Sequence, residues 1–366
     1  MNANISTARI ESIDVVRGLD MLGIILLDQF FWALYSGVDT PFTQFMAHQF
    51  DHPDWTGNTI YDIIMPLFLF TVGAVIPFSL SKRIRETNSN RDIYLKIGRR
   101  FLILFVLGWI VQGNLLELDI DRFYIFSNTL QAIAVGYVVS CLCYMHLSKK
   151  GQYAVFTFCL VAFTLILLTI SVPGSEAGLL LPDENIALYF DRLVFDRFED
   201  QTQYTWLLSS FGFVATTLSG MFAGEWIKSG MSQPKVLRNL LLAGVIGLAA
   251  GLLMGIWHPI IKKLWTSSFV LASSGVCYLI LAFFYWLIDM KGIRRWAFPL
   301  KVIGMNAITA YVLSHVIRFS TIAGFILFGT EQYTGPYYGA LEVFGGFLIL
   351  YLILWYMYRN KTFVKV

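Results

Sequence analysis

Charge is scarce in this chain. Asp, Glu, Lys and Arg supply only 14% of its 366 residues against 57% apolar residues, and the mean hydropathy is +0.63. A soluble domain usually carries about 25% charge, so a water-soluble globular class is excluded and the main solvent is lipid. Cysteine is also sparse: Cys141, Cys143, Cys159 and Cys277 lie inside apolar runs, at spacings that give neither a disulfide framework nor a C-x-x-C metal pair, and read as small core residues. His48, His146 and His258 have no ligand spacing, and no metal is expected. There is no Ser/Gly-rich linker, composition shift or solenoid-period repeat, which predicts a single domain over 1–366.

What is abundant is apolar runs of membrane-spanning length, roughly 20 residues each. They fall near 13–36, 59–80, 99–117, 124–147, 152–172, 205–228, 236–257, 264–289, 300–319 and 341–359. The expected fold is all-α: a polytopic bundle of about ten transmembrane helices in a lipid bilayer. Lys and Arg are unevenly shared between the loops. One side takes Lys82, Arg83, Arg85, Arg91, Lys96, Lys149, Lys150, Lys228, Lys235, Arg238, Lys291, Arg294, Arg295, Lys301, Arg359, Lys361 and Lys365. The other takes Arg122, Arg192, Arg197, Lys262, Lys263 and Arg318. The positive-inside rule then places both termini in the cytoplasm, with an acidic 173–204 segment as the largest external loop. Arg17, Asp20 and Asp28 interrupt the first run and no small-x-small site follows it, so it reads as a retained helix, not a cleaved leader.

Polar groups within the spans narrow the search for a site, because each Asp or Arg near a span's middle costs about 2.5–3.5 kcal/mol on insertion. Asp14, Arg17 and Asp20 recur at helical spacing, which suits either an interfacial ion pair or a phosphate-bearing pocket. Asp28 has no basic residue in its own span. Asp51-His52-Pro53-Asp54-Trp55-Thr56-Gly57 precedes the second span, which carries Asp62 in its first turns. The first span runs outward and the second inward, so Asp28, His52 and Asp62 are expected at similar depth near the external face. A histidine oriented by a carboxylate is a general base at neutral pH, whereas a loop histidine bonded to its neighbours is only structural.

These residues carry a resemblance. Ser12-x-Asp14-x-x-Arg17-Gly18, then His52-Pro53-Asp54-Trp55-Thr56-Gly57 with Asp62, Pro66, Phe68, Phe70 and Gly73, resemble the opening of the heparan-α-glucosaminide N-acetyltransferase family and its bacterial homologues, among the transmembrane acyltransferases. Leu130-Gln131-x-Ile133-Ala134, Leu218-Ser219-Gly220-x-x-Ala223-Gly224, Pro259-Ile260-x-Lys262-x-Leu264-Trp265-Thr266-x-Ser268-Phe269-Val270 and Gly304-Met305-Asn306 are similar to later elements of that family, in order. Ala132 and Ile261 stand where the family has arginine and asparagine.

The resemblance implies transfer of an acetyl group from cytoplasmic acetyl-CoA to an amino sugar or other glycan on the far side, by a homodimer in the bacterial inner membrane. The family's catalytic histidine matches His52, which would serve as general base or acyl carrier on the extracytoplasmic side. Asp28 stands where the family often has an assisting asparagine; an ionised carboxylate donates no hydrogen bond, so it would orient His52. Asp14, Arg17, Trp55, Asp62, Asn128, Gln131, Lys262, Trp265 and Asn306 are candidate pocket residues. Arg99, Arg100, Arg294 and Arg295 are candidates for the CoA phosphates, though the positive-inside bias explains them equally. Acetyl-CoA enters as cosubstrate; neither metal nor nucleic acid is expected. Gly220 with Gly224, and Gly247, Gly251 and Gly255, suit close helix contacts. Two other classes compete: a secondary transporter of an amino sugar in which Asp28 and Asp62 carry protons, and a scaffold without chemistry.

Overall fold

A computed structural model describes residues 10–86 and 89–364, apart from the side chains of Arg83, Arg85 and Glu86. Met1 and Lys365, and the side chains of Arg83 and Arg85, therefore lie outside the described residues. The rest is helical, with no strand among the described residues. The long elements are α1 (Glu11–Gly37), a short surface helix α2 (Pro41–Gln49), α3 (Ile64–Glu86), α4 (Asn90–Val111), α5 (Thr129–His146) and α6 (Lys149–Thr169). After the amphipathic α7 (Ile186–Phe195) come α8 (Ser210–Lys228), α9 (Gln233–Met254), α10 (Ser267–Met290), α11 (Phe298–Met305), α12 (Ala307–Val316), α13 (Phe319–Leu327) and α14 (Tyr338–Arg359).

Seven helices among the described residues are long and apolar enough to cross a membrane. The α11–α12 pair, bent by 67° at Asn306, makes an eighth if it counts as one span. This is a multi-pass membrane protein, but the criterion does not reproduce the expected ten. Two expected spans have helices that fall short of it. α4 begins well before residue 99, so Lys96, Arg99 and Arg100 lie within the helix. α8 is lined with Ser, Thr and Gly that are buried against neighbours, where lipid solubility is not required. The α13 segment was not anticipated: its nine residues are too short to span, and it folds back along α14.

Local chemistry explains several helix starts. Asn128, Ser148, Asn185 and Thr266 each accept a backbone N–H of the following turn and so cap α5, α6, α7 and α10. The centre of the bundle is α3 packed on α8. A Cβ at Gly220 or Gly224 would run into the carbonyls of Phe70 and Ala74, so glycine is what permits that approach. All four cysteines are buried and none forms a disulfide.

Successive long helices alternate in direction, so loops collect at two ends. One end gathers the 38–60, 112–128, 170–209 and 255–266 connections with the end of α12. At the other, Glu11 meets Lys301 at 2.6 Å and Arg294 at 3.6 Å, Lys149 pairs with Glu225, and the Lys228 ammonium donates to the Pro77 carbonyl at 2.7 Å.

Candidate functional site

The loop that carries His52 is tied down by its own polar groups. The Asp51 carboxylate accepts from His52 N at 2.8 Å, Thr59 Oγ1 donates to the Asp51 carbonyl at 2.7 Å, and Gly57 N donates to the Ile260 carbonyl at 3.1 Å. That last bond fastens it to a second turn, 259–266. There Ile261 and Leu264 are fully buried anchors, and Trp265 takes a left-handed backbone (φ 54) while its N–H closes a turn onto the Lys262 carbonyl at 2.8 Å. Thr266 Oγ1 accepts from Ile261 N at 3.1 Å and donates to the Pro259 carbonyl at 2.9 Å. The turn leaves the Lys262 side chain, 7% exposed, pointing at His52.

Three charged or chargeable groups converge. His52 Nδ1 donates to Asp62 Oδ1 at 2.8 Å, and Asp62, fully buried, also accepts from Thr59 N at 3.0 Å. Lys262 Nζ lies 3.3 Å from the same Asp62 oxygen and 3.2 and 3.3 Å from the two ring nitrogens of His52. Burial holds the Lys262 ammonium below the usual lysine range, opposed by the Asp62 charge. A buried charge is costly unless paired, and here one carboxylate serves both the Lys262 ammonium and the imidazole N–H. With Nδ1 committed to Asp62, the Nε2 lone pair is the basic position of the ring.

The Asp28 carboxylate is reached through Tyr61, whose hydroxyl donates to Oδ2 at 3.0 Å and whose ring lies 4.9 Å from the imidazole. The carboxylate that orients His52 in hydrogen-bond contact is thus Asp62, one turn into the second span, and Asp28 lies one residue further out. His52 opens onto a cavity of about 280 Å³, with Ile24, Ile64, Met65 and Tyr311 as its apolar part and Gln112, Ser127, Asn128, Asp200, Thr202 and Tyr204 as its polar part. His315 lines it too, with Nδ1 donating to the Tyr311 carbonyl at 2.8 Å.

Other candidates are placed elsewhere. Asn128 lines the cavity while capping α5 and donating to the Gly108 carbonyl at 2.8 Å; Gln131 is spent on Ser127 N at 2.9 Å and the Ile125 carbonyl at 2.8 Å. Trp55 Nε1 donates to the Leu180 carbonyl at 2.7 Å, fixing the loop to the 173–185 segment. Trp265 points into the core, edge-on to Phe213 and Phe269, with Nε1 donating to Thr216 at 3.2 Å. Asp14 and Arg17 lie 4.0 Å apart on α1, and Asn306 is buried at the break before α12. The four arginines divide. Arg294 and Arg295 share a hollow with Glu11 and Phe298; Arg99 lies on a groove along α4; Arg100 stacks over Tyr137 at 4.2 Å.

The 199–206 loop gave no signal in sequence beyond its acidity. It is held by Asp191, fully buried, whose carboxylate accepts from Trp206 N at 2.5 Å and Leu207 N at 3.0 Å. Burial pushes Asp191 up to about 7 despite those donors. Among the described residues no three His, Cys, Asp or Glu side chains are arranged to hold a metal ion.

Comparison with known proteins gives matches over most of the chain. Residues 9–171 match a family model described as a domain of unknown function, DUF5009. The chain is 23% identical over 361 residues to a heparan-alpha-glucosaminide N-acetyltransferase of Homo sapiens, covering 83% of this chain and 52% of the relative. It is 23% identical over 370 residues to the Mus musculus protein of that name, covering 86% and 54%. Over most of its length the chain is therefore similar to heparan-alpha-glucosaminide N-acetyltransferases, and it spans about half the length of the curated relatives it matches.

Proposed function

We propose that the protein is a transmembrane acyltransferase. It moves an acetyl group from acetyl-CoA, presented at the Lys- and Arg-rich end, to an amino sugar or other glycan acceptor in the His52 cavity. The observation that carries this reading is the convergence of His52, Asp62 and Lys262 on a cavity at the end opposite the cationic loops. Acyl transfer needs a base for the nucleophile and a positive field where the carbonyl oxygen becomes negative. The Nε2 of His52 is oriented for the first, and the Lys262 ammonium lies 3.3 Å from it for the second. For an amine acceptor the C–N bond forms as the C–S bond breaks. Of the two protons shed by the ammonium, one ends on the leaving thiol and one in solvent.

The far end suits the donor's phosphates. Arg294, Arg295 and Lys301 outnumber the two carboxylates beside them, Glu11 and Asp289, leaving an excess of positive charge around the hollow. The pantetheine arm and its thioester would then extend along the bundle toward Ile24, Met65 and Tyr311, the apolar part of the cavity.

The test is sealed proteoliposomes with acetyl-CoA on one side and glucosamine on the other. Wild type is expected to yield acetylated sugar, and His52→Ala to lose about 10²–10⁴-fold in rate. Unmodified sugar crossing the membrane, with no acetylation on either side, would establish transport and end the acyltransferase reading.

A further inference from the structure

Behind the His52 cavity lies a second, smaller one. About 220 Å³ in volume, it is enclosed by the second half of α1, the end of α12, the start of α13 and the first half of α14. The two share walls. α1 gives Ile24 to the first cavity and Ile25 to the second, and α12 gives Tyr311 and His315 to the first and Ser314 to the second. At this point α1 is widened, because Asp28 N donates to the Gly23 carbonyl five residues back, a turn that is rare and occurs mostly at functional sites. On the far wall a Cβ at Gly346 would run into Ser320 N, so glycine is what seats α14 against the start of α13.

Two polar side chains line this cleft without a protein partner. Arg318 and Gln29 make no ion pair and no side-chain hydrogen bond among the described residues. Two carboxylates of the same hairpin, Glu331 and Glu342, line the next hollow along α13, where Glu342 shares a hydrogen bond with Tyr338, and neither reaches the guanidinium. α13 begins directly after Arg318 with no side-chain cap, so the N–H groups of its first turn add to the positive field. The surroundings are apolar: Phe319, Phe347 and Leu350 complete the lining, and Phe325 and Leu352 on the outward faces of α13 and α14 are 85% and 57% exposed. An unpaired guanidinium and an unpaired amide are costly beside lipid, and such groups in a membrane protein mark a binding function.

We infer that this cleft binds the phosphate of a membrane lipid from the leaflet on the His52 side, with Arg318 and Gln29 on the phosphate oxygens and the acyl chains along α13 and α14. Arginine is always charged, and its planar fork matches two phosphate oxygens at once. The cleft admits a phosphate and its glycerol, while two acyl chains must lie outside, where bare apolar surface flanks the opening. A free anion gains nothing from that surface, so the flanking faces favour a lipid over a soluble phosphate. The inference goes beyond the acyltransferase reading and does not depend on it. Gln29 follows Asp28, which Tyr61 ties to the level of His52, so the lipid braces the wall that Tyr311 and His315 present to the cavity.

The test is native mass spectrometry of the full-length protein with dioleoylphosphatidylglycerol and dioleoylglycerol, lipids with the same chains that differ in the phosphate. Wild type is expected to retain the first about tenfold or more over the second, the range of a hydrogen bond to a charged group. Arg318→Gln should erase that preference and Arg318→Lys keep part of it, while Arg122→Gln, at an exposed arginine of the same end, should leave it unchanged. Arg318 is exposed and unpaired, so its variants should melt like wild type when lipid is absent. Ser314→Phe should fill the cleft and lose phosphatidylglycerol with the guanidinium intact, which separates a built site from a stray charge. Equal retention of the two lipids by wild type, or a preference that survives in Arg318→Gln, overturns the assignment. Displacement of the lipid by millimolar inorganic phosphate would make this an ion site instead. A disulfide between two copies of Ser314→Cys in bilayers would place a second copy over the cleft, and would overturn it as well.

Discussion

Each end of the bundle has a carboxylate touching two basic side chains, and the two groups differ chiefly in burial. Asp62 is fully buried and Lys262 nearly so, whereas at the far end the side chains of Glu11, Lys301 and Arg294 are 20%, 27% and 56% exposed. Buried charges feel each other at low effective dielectric and cannot separate cheaply; half-exposed ones are screened by water and salt. The first arrangement fixes a base in one orientation. The second keeps a positive hollow that adapts to a charged visitor.

Asp62→Asn attacks that contrast where it is strongest. The substitution leaves the Lys262 ammonium buried without its counter-ion and His52 Nδ1 without its acceptor charge. Removing one partner of a buried pair costs about 3–5 kcal/mol, so a large fall in Tm is expected in detergent thermal melts, together with loss of transfer. Pairing it with Lys262→Met should recover most of the stability and none of the activity. If the single variant melts like wild type, the pair is solvated and the two ends are alike.

These sites were legible in the sequence to different degrees, for physical reasons. Each of the ten apolar runs holds a helix, because length and apolarity are local properties. How many cross the membrane was less legible, since a helix buried by its neighbours, such as α8, has no need of a lipid-soluble surface. His52, Asp62 and Lys262 stood out because short ordered motifs surround them. Trp265 shared a motif with Lys262, yet its left-handed backbone turns the ring into the core, which composition cannot reveal. Asp200 and Tyr204 had neither motif nor period. Their loop is held against the cavity by long-range bonds, Trp206 N and Leu207 N donating to the Asp191 carboxylate and Thr205 N to the Lys263 carbonyl.

His258 sharpens the comparison within the site end. It is fully buried, both ring nitrogens lack partners among the described residues, and it immediately precedes the Pro259–Thr266 turn. Burial lowers it to about 4 from an ordinary 6.5. The folded state thus binds fewer protons than the unfolded one. Its contribution to stability is complete above pH 6.5 and is lost as pH falls toward 4, by at most about 3 kcal/mol at 1.36 kcal/mol per pH unit. His258→Leu should flatten the melting-temperature profile between pH 6.5 and 4 and leave it nearly unchanged at pH 8. A profile as steep as that of wild type would show that other groups carry the acid sensitivity.

Glu11→Gln probes the exposed end, where the smallest effect is expected. Half-exposed ion pairs contribute about 0–1 kcal/mol, so the melting temperature should barely move. Removing the carboxylate that pairs with Arg294 and Lys301 makes the hollow more positive, which favours a phosphate-bearing donor. The KM for acetyl-CoA should fall by about two- to fivefold with kcat unchanged, the pattern of an interaction equal in ground and transition states. In about 1 M salt, where the Debye length is near 3 Å, the difference should vanish. An unaltered KM here, together with a raised KM in Arg99→Gln, would move donor entry to the groove along α4, and the cationic hollow would then be only a product of membrane orientation.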